Sequence, residues 1–248
     1  IKHTLCDYAL TPDVSIVDDQ FVQEMPKRLI AWSGFEALGH AIESYVSTMA
    51  TDFTRGWSLE AIKIIFANLK NSYDGNLAAR KQMHDAATIA GMAYSNAFLG
   101  LEHSIAHTVG STFDIPSGVS DAIALPQVIR FNSKRPEKLA MWPHYSVYRA
   151  KSDYADIARA IGLTGSSDDE LVEKLVQKII DLAESVGIKM AYKGYGVDKA
   201  EFDKKVDELA VEAYGDQNTV TNPTAPLISQ IIQLMKDCYE GKGIVNNK

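Results

Sequence analysis

Three of the six histidines in this 248-residue chain are spaced for chemistry. His40 follows Glu36 by four residues, and His107 follows His103 by four. Residues four apart on a helix share a face, with Cβ atoms about 5–6 Å apart, so each pair can aim at one point. A carboxylate with two imidazoles is a donor set for zinc or ferrous iron. Each pair alone reads better as hydrogen-bonded histidines on a half-buried face. Two pairs in apolar, alanine-rich surroundings bring the metal reading level with that one, because ionisable groups are rarely buried without a partner.

Other chemistries lack a part. His103-Ser104-Ile105-Ala106-His107 has the HxxxH spacing of a zinc peptidase, but Ser104 stands where the general base is needed. There is no GxGxxG and no GxxxxGKS/T, so neither a dinucleotide loop nor a phosphate loop is encoded. Cys6 and Cys238 are too few for a disulfide framework and give no support to a thiol nucleophile. His84-Asp85 reads as a surface helix turn, and the charges in 198–208 as a solvated helix face.

The elements that must position these residues are helical. Apolar residues at 35, 38, 42, 45, 46 and 49 follow a 3.6-residue period, as do Trp57, Ala61, Ile64, Ile65 and Leu69. Residues 77–99, rich in small side chains, read as a central buried helix. A helix over 101–109 closes at Gly110, and another runs from Val119 to Phe131. Residues 132–153 read as an irregular connection through Pro136 and Pro143. Ser167 to Glu170 has capping-box form, Asp198 to Glu201 starts the next helix, and a last one spans Leu227 to Tyr239. The alternating stretch Asp13 to Asp18 predicts one short strand, without a partner of similar quality later in the chain. The expectation is an all-α fold of about seven to nine helices, by ordinary helix and loop lengths, with that one strand.

Composition bounds the partners. A net charge of −7 and a pI near 5.4 argue against nucleic acid and against an anionic membrane surface. No apolar run reaches the roughly 18 residues of a membrane span, and neither a signal-peptide pattern nor a disulfide framework is visible, so a cytoplasmic location is expected.

Two motifs carry a resemblance. Gly34-Phe35-Glu36-Ala37-Leu38-Gly39-His40-Ala41-Ile42-Glu43 resembles the G-x-D-A-L-x-H-A-x-E motif of iron-dependent (group III) alcohol dehydrogenases. Gly100 to His107, with Ile115-Pro116-Ser117-Gly118, resembles that family's G-x-x-H-x-x-A-H … P-H-G. Tyr8 to Val14, Ala50 to Thr54, Thr88 to Ala93, Trp142 to Tyr145, Asp216 to Thr219 and Asn222-Pro223 are similar to the alcohol dehydrogenase half of bifunctional aldehyde-alcohol dehydrogenases. The likeness covers nearly the whole chain.

The resemblance implies a helical C-terminal domain that holds a metal, facing an N-terminal α/β domain that holds the dinucleotide. Residues 1–27 would be the residual strand and linker of that nucleotide-binding domain, and 28–248 the metal-binding domain. His40 and His103 fall on metal-ligand positions. Glu36 and Ser117 fall on two more, which the family fills with aspartate and histidine. Ser117 is a weak donor for a transition metal; read from its loop setting, it is equally a helix N-cap. Glu102 replaces a residue that is often cysteine, and Thr224 an arginine. His107 falls near the nicotinamide and substrate and would relay a proton. The implied cofactors are Fe(2+) or Zn(2+), with weakened or abolished affinity, and NAD through the N-terminal domain. The implied reaction is reversible hydride transfer between a primary alcohol or aldehyde and NAD, in a homo-oligomer or filament. This chain alone is expected not to turn over. The alternatives are a catalytically degenerate structural or assembly domain and, less favoured, a metallohydrolase.

Overall fold

A computed structural model describes residues 8–134 and 148–243. Among these residues there are nine α-helices and no strand. The nine are α1 (Lys27–Val46), α2 (Asp52–Tyr73), α3 (Leu77–Ala97), α4 (Leu101–Phe113), α5 (Ser117–Asn132), α6 (Ala150–Ala160), α7 (Asp168–Ser185), α8 (Lys199–Gly215) and α9 (Ile228–Glu240). The Cys6 thiol and most of the expected 132–153 connection, including Trp142 to Tyr145, lie outside the described residues.

The helix starts follow local capping chemistry. Thr51 and Thr54 close a reciprocal box at α2, Asn76 Oδ1 accepts the Ala79 amide at 3.0 Å, and Asp198 Oδ1 accepts the Glu201 amide at 2.9 Å. Ser167 caps α7 at 3.2 Å, while Glu170 reaches back to Ser166.

Helices α1 and α5 are buried on nearly all sides, as central helices must be. α1, α2, α3, α6 and α7 enclose one apolar cluster around Phe35, Leu38, Ile42, Ile62 and Tyr154. α4, α5, α8 and α9 enclose a second around Ile105, Ile123, Phe202 and Met235. Each such side chain contributes about 1.5–3 kcal/mol when taken fully from water. Trp32 packs against both clusters. The two central helices approach so closely that a Cβ at Gly118 would land on the Trp32 carbonyl. α6 is tied to α2 by a bidentate pair from Arg55 to the buried Asp153 at 2.9 and 3.0 Å, and Arg149 adds a third contact.

Three sequence expectations are corrected. The strand at Asp13 to Asp18 is absent: Val14 and Ile16 are 76% and 88% exposed, and extended chain without a neighbouring strand cannot satisfy its ladder. Gly110 does not end α4, which continues to Phe113 and stops at Asp114 in the left-handed region, φ 53°. Ser117 is not an N-cap but the first residue of α5, behind Pro116.

Candidate functional site

The site is built on the start of α4. Its N-cap is Gly100, which has no side chain to satisfy the first amides. Those amides are taken by side chains from elsewhere. Glu43 of α1 accepts Gly100 N and Glu102 N at 2.7 Å each, and Asn222 Oδ1 accepts Leu101 N at 3.1 Å. A Cβ at residue 100 would lie 2.7 Å from Glu43 and 2.9 Å from Asn222, so glycine is required there. The chain enters this turn through Phe98 at φ 61°, an unfavourable conformation for a bulky residue.

Glu43 also reaches His103, whose Nδ1 lies 3.0 Å from Oε2. The other ring nitrogen, Nε2, is buried and has no hydrogen-bond partner among the described residues. The His40 ring stacks on His103 at 4.7 Å and on Tyr94 at 4.3 Å. His107 meets His103 edge-on at 5.9 Å. The structure therefore brings His40, His103 and His107 together, although 62 residues of chain lie between the first two. Glu36 lies one turn before His40, half-buried. Ser117 opens α5 beside Gly118, which touches Trp32, one turn before Glu36.

Sequence reasoning missed four residues here. Glu43 shares the α1 face of Glu36 and His40 at i+7, a spacing that could have marked it. Asp121 lies four after Ser117 and is wholly buried. Glu102 is also fully enclosed, with Oε2 2.6 Å from Nδ1 of His103. Asp216 lies 3.4 Å from Nδ1 of His107. Burial raises the Glu102 carboxyl, and burial with the neighbouring Glu102 and Glu36 charges raises Asp121 well above the carboxylate range. Burial alone would lower His103, but Glu102 and Asp121 carry it well above the usual imidazole value. Burial would likewise raise Asp216, yet bonds from His107 and the Asn218 amide hold it below its ordinary value.

Glu43, Glu102 and His103 offer three ligand atoms within 4.8 Å of one another. A metal there would have to displace the amides from Glu43, so this trio is better described as an ion-paired support for His103. A ligating histidine characteristically donates one ring N–H to a carboxylate and presents the other nitrogen, which is the state of His103. Glu36, His40 and His103 are the donor types of a catalytic zinc centre, but among the described residues their ligand atoms are not gathered within 4.8 Å of one another as those of Glu43, Glu102 and His103 are. Ser117 adds only a neutral hydroxyl.

The profile of the Fe-containing alcohol dehydrogenase family, C-terminal part, matches residues 30–239. The chain belongs to the iron-containing alcohol dehydrogenase family. It is 44% identical over 238 residues to "Aldehyde-alcohol dehydrogenase 2" of Entamoeba histolytica, covering 96% of this chain and 27% of that protein. It is 43% identical to "NADPH-dependent butanol dehydrogenase" of Clostridium saccharobutylicum, covering 97% of this chain and 58% of that one. Among solved structures, the iron-containing alcohol dehydrogenase of Thermococcus thioreducens superposes with a TM-score of 0.83 at 31% identity, over 95% of this chain and 57% of that one. The chain thus spans about a quarter of the bifunctional relatives and a little over half of the single-function ones. No helix among the described residues is long and apolar enough to cross a membrane.

Proposed function

We propose that this chain is the metal-holding half of an alcohol dehydrogenase that moves a hydride between a primary alcohol or aldehyde and NAD. The observation that carries the reading is His103, with Nδ1 on Glu43 and a buried, unpartnered Nε2 beside the stacked His40. Glu36, His40 and His103 would hold ferrous iron or zinc, with a water on Ser117 filling a fourth position. The bound metal would supply Lewis-acid polarisation of the substrate oxygen. The chain's own residues do the rest. Tyr94 covers one face of His40 and excludes water from it. His107, half-buried and held at Nδ1, takes or gives the proton of the substrate hydroxyl through Nε2. NAD would be bound by an N-terminal domain to which residues 1–27 belong. Self-association into homo-oligomers or filaments, in the cytoplasm, goes with this reading.

A second reading, a catalytically degenerate assembly domain, is favoured by one observation. Glu102 and Asp121 raise the His103 imidazole above its usual value, and proton binding competes with metal binding. Anaerobic loading with Fe(II) or Zn(II) followed by metal analysis separates the two. One equivalent bound, and lost in His40→Ala, supports the dehydrogenase. Metal retained in full by His40→Ala sinks the site assignment. No metal in the native chain supports degeneration.

A further inference from the structure

We propose that Asp216 is the positioning residue of His107, fixing its proton on Nδ1 and leaving the lone pair on Nε2. What Nε2 then does rests on the dehydrogenase reading above; the tautomer does not.

The geometry comes from two places in the chain. His107 and Ser104 lie three apart on α4, so they face the same way. Asp216 stands where α8 ends and the single 3-10 turn Gln217–Thr221 begins. One carboxylate oxygen, Oδ1, is committed to structure. It accepts the Asn218 amide at 2.8 Å and lies 3.2 Å from the Ser104 hydroxyl, which is itself 2.8 Å from Thr219. The other oxygen, Oδ2, faces Nδ1 of His107 at 3.4 Å. Both side chains are nearly enclosed, at 10% and 13% exposure, and Asp216 forms no ion pair with a lysine or arginine among the described residues. The ring is set from a second side by the edge-on contact with His103.

A carboxylate accepts but does not donate, so the nitrogen it faces must carry the hydrogen. An imidazole fixed in this way by a carboxylate keeps one tautomer and one orientation, the requirement for a base that must meet a hydroxyl repeatedly in one geometry. The division of labour in Asp216 makes the idea separable from mere support. In Asp216→Asn, the amide oxygen can keep the Asn218 bond while the NH2 group, a donor, replaces Oδ2. A donor facing Nδ1 selects the opposite tautomer.

The test is side-chain 15N NMR of the neutral His107 imidazole, assigned by its loss in His107→Gln. The native chain is expected to show hydrogen on Nδ1, and Asp216→Asn to show it on Nε2. An Nε2–H tautomer in the native chain overturns the proposal, and that measurement stands even where the variant fails to fold. An unchanged tautomer in a folded Asp216→Asn overturns it as well. In the full-length enzyme, kcat for alcohol oxidation is expected to fall by about 10- to 1000-fold in Asp216→Asn with KM little changed. A flipped tautomer with unchanged kcat supports Asp216 as positioning residue and removes His107 from the proton path.

Discussion

Glu43 Oε2 lies 3.0 Å from Nδ1 of His103 while the same carboxylate accepts two amides at the start of α4 at 2.7 Å. One side chain thus completes a helix end and orients a candidate metal ligand. Glu43→Gln places an NH2 group against one of those amides, donor to donor. The expected cost is about 3 kcal/mol, read as a lower urea midpoint with unchanged slope. An unchanged midpoint contradicts the capping role.

Gly118→Ala tests the approach of α1 and α5. Its Cβ would meet the Trp32 carbonyl, which belongs to a backbone that cannot swing away. A loss of about 3 kcal/mol or more, or failure to accumulate folded protein, is expected. A tolerated alanine, by thermal melting, means that the helices stand further apart.

Asp153→Asn tests the tie between α2 and α6. Arg55 keeps its place over the Tyr45 ring at 4.9 Å but loses the buried carboxylate that pairs it. Breaking one partner of a buried pair costs about 3–5 kcal/mol. Denaturant unfolding monitored by circular dichroism is the measurement, and a change under about 1 kcal/mol would falsify the tie as described.

Glu102 and Asp121 carry a pH dependence with a definite sign. Both are raised in the folded protein, as is His103, so the folded chain binds more protons than the unfolded one. Stability is then fully present below the unfolded carboxylate values near 4 and falls as pH rises toward the raised folded values. Melting temperature is expected to drop on going from about pH 5 to pH 8, and the double variant Glu102→Gln, Asp121→Asn to show a flatter profile. Parallel profiles for both proteins contradict the assignment.

The sequence disclosed α2, α3 and α8 well because each is capped by its own neighbours, at Thr51, Asn76 and Asp198. The site was half legible. Glu36, His40, His103 and His107 could be read from spacing, but the meeting of the three histidines depends on the packing of α1 against α4, which no local pattern encodes. Glu102 and Asp121 were opaque for a physical reason: a carboxylate reads as solvent-facing until the packing shows it enclosed. Val14 and Ile16 misled in the opposite direction. Alternation records a preference for a sheet, and only neighbouring strands can convert that preference into a strand.

Trp32 touches both apolar clusters, at the level where Gly118 admits α5 against α1. Neither cluster can lose its packing without exposing the other, so the helices are expected to melt in one cooperative transition rather than as two lobes. The helices that carry His40 and His103 are therefore expected to move as one body. On the proposed dehydrogenase reading, motion that admits or releases a substrate is expected to come from whatever lies opposite these helices, not from a hinge within them.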